Sequence, residues 1–183
     1  MRLAAVRESP PWPTPPRAAL PFRQVNRAGA PDHDPALQRH HLLPCQLLTR
    51  RCFGAMFDAL GQNGLGFDDF RTNGLLLPAH DAAVLRMGLP LHRGPHRAYN
   101  LLAIERVGQI EQSWAAVRWR APERAGAEAR MRLSLLQRAL RRRLLDPVRR
   151  RFALHRRDPL GAGADFTELD ALVDQLWPAT ELP

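Results

Sequence analysis

The sequence predicts an α+β fold: a small, mainly helical domain around two short strands, with an Arg-rich helical extension on its C-terminal side. Three observations carry this. Over several long stretches apolar residues recur every three or four positions, the period of a helix that buries one face. Two short segments, around Arg39-His40-His41-Leu42-Leu43-Pro44 and from Gly74 to Pro78, are strand-like and end in Pro, which cannot donate to a sheet ladder. No internal repeat is visible, so one domain with extensions accounts for the 183 residues.

Residues 1–35 contain eight of the 17 prolines, including Pro10-Pro11-Trp12-Pro13 and Pro15-Pro16. Pro removes backbone donors and turns its predecessor away from the helical region, so an extended or disordered arm is expected. Residues 36–120 form the expected main domain. Cys45, Leu48, Cys52, Met56 and Leu60 mark one helical face, with Gly61 as a left-handed stop. Residues 62–70 carry Gly64, Gly66 and paired Asp and read as loop, the strand from Gly74 follows, and Asp81 to Met87 is a brief helix. After Gly94, Pro95 suits a first helical position, and Ala103, Val107, Ile110, Trp114 and Val117 form the stripe of a long helix.

Residues 121–158 are the expected extension. A helix from Glu123 to Leu145 buries Leu133, Leu136, Leu140 and Leu144 and presents Arg130, Arg138, Arg141 and Arg142 on its other side; Arg149, Arg150, Arg151, Arg156 and Arg157 follow. Residues 159–183 form an acidic tail in which Phe166, Leu169, Val173 and Leu176 make a small amphipathic helix.

Charge narrows the function. The chain has 27 basic residues against 18 acidic, and every basic residue is Arg. Residues 1–158 carry a net charge of +14 and residues 159–183 one of −5. A surface this basic suits a polyanion, because neutralising phosphates releases counterions. The Arg-rich helix face, with Arg149 and Arg150 beyond it, is expected to track a nucleic-acid backbone without reading sequence. The first residues offer no apolar stretch of about 7 to 15 residues before a small-residue cleavage site, and no run approaches the roughly 18 apolar residues of a membrane span, so a cytoplasmic location with no membrane contact is expected. On one helix Cys45 and Cys52 would lie about 10 Å apart, beyond disulfide reach, and read as small core residues in a reducing compartment.

The histidines point to chemistry. On a strand, adjacent His40 and His41 face opposite ways; at a strand end one can bind a metal while the other points toward a substrate. Metal-assisted hydrolysis needs that division, with one neutral imidazole as ligand and another as base. His92 and His96 have the spacing of a helical metal clamp, but Gly94-Pro95 would break a helix running through His92. The better reading places His96 in the first turn of the long helix and His92 in the loop before it, both still able to reach one ion. Asn73 either shapes a turn with Gly74 or accepts a proton from a His ring and so fixes its tautomer. His33, His80 and His155 read as surface or structural.

This ordered set resembles the AHH family of the HNH/endonuclease VII superfamily, the ββα-metal or His-Me finger nucleases. The matching segments are His40-His41, Asn73-Gly74-Leu75-Leu76-Leu77-Pro78 and His92-Arg93-Gly94-Pro95-His96-Arg97-Ala98-Tyr99, across about residues 38–115. The resemblance implies a ββα-metal finger in residues 36–120, a metal-dependent endonuclease activity, His40 and His96 with His92 as metal ligands, His41 as general base and Asn73 as its orienting partner. Arg39 stands where the family has Ala and, with Arg97, is placed to contact phosphate. The expected cofactor is a divalent ion, Mg²⁺ first, with Zn²⁺, Ni²⁺ or Mn²⁺ as alternatives because imidazole ligands favour transition metals. The expected partner is nucleic acid, DNA before RNA. Two rival readings are a non-catalytic Arg-rich nucleic-acid-binding protein with a structural metal, and a toxin-type nuclease effector with an immunity-type protein partner.

Overall fold

Two short strands pair where the alternation of side chains lets them. In the computed structural model, which describes residues 18–61, 65–146 and 154–160, β1 (Leu37–His41) runs antiparallel to β2 (Gly74–Pro78). The register sets His40 opposite Leu75 and His41 opposite Gly74. Around this ribbon lie α1 (Arg51–Leu60), the single turn α2 (Phe70–Asn73), α3 (Asp81–Met87), α4 (Arg97–Val117) and α5 (Pro122–Leu145). The fold is therefore the expected α+β class, mainly helical around two strands. No helix among the described residues is long and apolar enough to cross a membrane.

The core lies between the ribbon and the helices. From α5, Leu133, Leu136, Leu140 and Leu144 are buried, the face their spacing predicts, and they join Val107, Ile110 and Trp114 of α4. Pro122 occupies the first turn of α5, where its missing N–H costs nothing. α1 begins at Arg51, later than expected, after a separate turn of 3₁₀ helix at Cys45–Leu47. Its buried face is Phe53, Met56, Phe57 and Leu60, while Cys45 and Cys52 are free and exposed. The expected core role of the cysteines fails because bulky Phe53 and Phe57 set the helix's rotation and turn Cys52 outward.

Two further details differ from expectation. α4 starts at Arg97, with His96 as its N-cap and Pro95 outside it, because Gly94 adopts φ +74° and delays the helix. The stretch expected as a Pro-rich arm is described from residue 18, and there Phe22 is buried and Leu20 N donates to Asp69 Oδ1 at 2.9 Å. Trp12, Arg149, Arg150, Arg151 and the expected tail helix lie outside the described residues.

Gly74 is a packing requirement. A Cβ there would come within 2.1 Å of the Phe70 ring, which meets Phe22 edge-on at 5.1 Å; Phe22 in turn stacks on His41. Gly74→Ala is expected to cost about 1 to 3 kcal/mol and to loosen the His41 ring, as overpacked sites do. Thermal unfolding checks the first effect, and an unchanged Tm would contradict it.

Candidate metal centre and active site

β1 ends in a buried position followed by a half-buried one. His40 is 3% exposed, whereas His41 is half-buried on the other face of the ribbon, the division that strand geometry demands. On the inner side the His40 ring meets Tyr99 edge-on at 4.8 Å, His92 at 5.0 Å and His96 at 5.6 Å; the His92 and His96 rings are 4.4 Å apart. One ring nitrogen from each of the three lies within 4.8 Å of the others. Three elements meet here: the end of β1, the loop after α3, and the N-cap of α4.

Hydrogen bonds engage one nitrogen on each of the two outer rings and leave the other free. The Leu154 carbonyl can only accept, so His96 Nδ1, 3.0 Å away, carries the proton and Nε2 keeps its lone pair. Gln38 Oε1 plays the same part for His92 Nδ1 at 3.1 Å. His40 Nε2 is buried and has no hydrogen-bond partner among the described residues. A buried polar atom without a partner is costly, and an ion bound between the rings would satisfy it. The donor set therefore fits a divalent cation: three neutral imidazoles, two with their remote nitrogens held by acceptors as ligating histidines usually are. His33, His80 and His155, read from sequence as surface or structural, are not in this cluster.

Burial lowers the pKa of all three, with His92 and His96 further opposing charge on His40; His92 is brought down to about 4. His155, read from sequence as unrelated, lies close enough to His96 to lower it as well. The rings are consequently neutral near pH 7 and ready to ligate. The unfolded chain, with ordinary imidazoles, binds more protons below about pH 6.5, so stability falls as pH drops from there through the lowered pKa values. For the metal-free protein the His92 limb alone is worth at most on the order of 3 kcal/mol between about pH 6.5 and 4. Denaturant unfolding in chelator across that range measures it, and a flat profile would contradict the buried cluster.

His41 is held differently. Its ring stacks on Phe22 with centroids 3.7 Å apart and planes 2° from parallel. Arg39 Nη1 donates to the Phe22 carbonyl at 2.7 Å, so the Arg just before the His pair braces the residue beneath His41. Burial lowers the His41 pKa, Asp68 pulls it back up and Arg39 pushes it down. Its charge also opposes charge on His40 and His92, so it lies within electrostatic reach of the cluster.

Asn73 is fully buried, and its expected contact with a His ring is absent from the hydrogen bonds of the described residues. Asn73 Oδ1 accepts from Leu43 N at 2.7 Å and from Gln137 Nε2 at 3.3 Å; Nδ2 donates to the carbonyls of Leu43 at 3.1 Å and Phe67 at 3.2 Å. The reason is local. Asp69 caps α2, accepting from Arg71 N and Thr72 Oγ1, and that one helical turn points Asn73 into the core. Since Asn73 O also accepts from Leu42 N at 2.8 Å, it fixes the two residues that follow His41. Tyr99 adds a second brace, its hydroxyl donating to Leu42 O at 2.8 Å.

The arginines proposed for nucleic acid divide. Arg97 and Arg142 are exposed; Arg141 is half-buried and donates to Arg71 O at 2.8 Å, capping α2. Residues that sequence reasoning missed include Asp158, nearly buried, whose Oδ2 accepts from Leu91 N at 2.8 Å and so fixes the chain one residue before His92. With the Leu154 carbonyl on His96, it ties residues 154–160 to the segment carrying the two outer histidines. Neither left a signal in sequence, since one contributes a backbone carbonyl and the other is a lone Asp among arginines.

A family model described as a nuclease family of the HNH/ENDO VII superfamily with conserved AHH matches residues 21–140. Comparison with curated proteins and with solved structures gives no match.

Proposed function

The chain belongs to the AHH nuclease family of the HNH/ENDO VII superfamily, and from that premise we propose that it is a metal-dependent endonuclease hydrolysing phosphodiester bonds in nucleic acid, DNA in preference to RNA. The observation that carries the reading is the cluster of His40, His92 and His96, in which His40 Nε2 is buried without a hydrogen-bond partner among the described residues, with His41 on the other face of the ribbon. In this reading His40, His92 and His96 hold the ion. A divalent cation there supplies positive charge for the phosphate and for the departing oxygen. The three-imidazole donor set favours Zn²⁺ or Ni²⁺ over the Mg²⁺ expected from sequence, since Mg²⁺, and to a lesser degree Mn²⁺, prefers oxygen ligands.

The chain's own residues supply the rest. His41, neutral near pH 7, accepts a proton from the attacking water at a ring nitrogen. Phe22 holds the ring plane, and Arg39 holds Phe22. Asn73 acts as a positioning residue through the Leu42 and Leu43 backbone and does not touch substrate. Arg97, at the mouth of α4, and Arg142 contact phosphates, joined by Arg149 and Arg150 farther along the chain.

The test is nicking of supercoiled plasmid and cleavage of labelled RNA in chelator and with Mg²⁺, Mn²⁺, Ni²⁺ or Zn²⁺. Cleavage that requires added ion supports the proposal. Tight nucleic-acid binding with no cleavage across all four ions would replace it with the binding-protein reading.

A further inference from the structure

The turn joining α4 to α5 exposes an aromatic that the metal centre does not use. Trp119 is 81% exposed, an unusual state for so large an apolar ring. It is also held in place. The Arg118 guanidinium lies 4.4 Å from the Trp119 ring centroid and 4.7 Å from that of Trp114, which is 5% exposed. A core indole thus anchors the guanidinium, and the guanidinium backs one face of the outer indole. Beside it opens a hollow of about 250 Å³, lined by Trp114, Trp119 and Pro122 with Arg118, Arg130 and one acid, Glu123. That is below the roughly 300 to 1,000 Å³ of sites for larger ligands and suits one flat ring.

We propose that Trp119, backed by Arg118, is a stacking site for an unpaired base of a nucleic-acid strand. The ligand class rests on the proposed nuclease function, but the platform itself does not. The surroundings favour a polyanion: residues 118–145 hold nine Arg and two Glu. Two cations, Arg118 and Arg130, against one acid, Glu123, line the hollow itself, so the charge that would meet the phosphates flanking a stacked base is already in place. Every base has a face to stack on an indole, so the site tolerates any sequence; duplex bases are already stacked and gain nothing from it. From His96 at one end of α4 to Arg118 at the other, the helix rise gives about 33 Å. The platform therefore grips a strand well away from the reacting phosphate and acts on affinity rather than on the chemical step.

The experiment measures binding without cleavage. Fluorescence anisotropy of labelled single-stranded 30-mers, DNA and RNA, and of the matching duplex is followed in chelator at fixed salt. Trp119→Ala is expected to weaken single-strand binding about 5- to 150-fold and duplex binding less than about twofold, with Trp119→Phe recovering most of the loss. An unaltered melting temperature shows that the exposed ring was not holding the fold. Unchanged single-strand affinity overturns the proposal and leaves a protein partner as the occupant; an equal loss on duplex also overturns it. Failure of the nuclease reading would look different, as absent cleavage by the parent with every ion whatever stands at position 119.

Discussion

His41→Ala is expected to slow phosphodiester cleavage by about 10²- to 10⁴-fold while leaving the affinity for the divalent ion within a few-fold of the parent's. The separation follows from the ribbon. His41 points to the face opposite His40 and contributes no nitrogen to the three-ring cluster, so its loss removes a proton acceptor and spares the ligands. The stability cost is that of one stacked pair on Phe22, about 1 kcal/mol. The pH profile sharpens the expectation. With its pKa below the ordinary value, His41 is already deprotonated at neutral pH, so the parent's rate climbs with pH on the acid side and levels off by about pH 7. Metal-saturated single-turnover rates for parent and variant across pH check this. Equal rates would remove His41 from the chemistry.

Asn73→Ala is expected to have the largest effect on stability, roughly 3 to 5 kcal/mol, or about 10 °C in Tm for a domain of this size. The side chain is fully buried and makes four hydrogen bonds, three to backbone groups of Leu43 and Phe67. Removing it strands those groups in a dry interior, where each unmade bond costs about 1 to 3 kcal/mol. It also frees the chain just after His41. Thermal unfolding measures the loss; a change below about 1 kcal/mol would mean that the network is not holding that corner together. Asn73→Asp does not rescue, because it replaces the Nδ2 donor with a buried charge beside two carbonyls.

Elements with their own punctuation were legible in the sequence. The run from Gly74 to Pro78, the Asp81–Met87 helix and the leucine face of α5 each combine a period with a boundary residue, and each lies where expected. The ordering of His40, His41, His92 and His96 was legible for a different reason: the residue types are rare and their spacing limits what they can do together. What escaped was contact between distant parts. Whether Asn73 faces a ring or the backbone depends on one helical turn at Phe70–Asn73, too short for a periodic signal. The phase of α1 depended on Phe53 and Phe57 out-competing Cys52 for burial, which small apolar residues cannot reveal by spacing alone. Leu154 and Asp158 reach the site across about 60 residues and Phe22 across 19, as a carbonyl, a lone carboxylate and a ring from a Pro-rich stretch.

The claim on which the rest depends is that three imidazoles converge on one ion, and calorimetric titration of the metal-stripped protein with Zn²⁺ and Mn²⁺ tests it most directly, in the parent and in His40→Phe and His96→Ala. One ion per chain is expected, released with protons at acidic pH, with affinity about 10- to 100-fold or more weaker in either variant while both remain folded by circular dichroism. Binding that is undiminished when His40 or His96 is removed from a folded protein, or no binding to the parent, would contradict the centre.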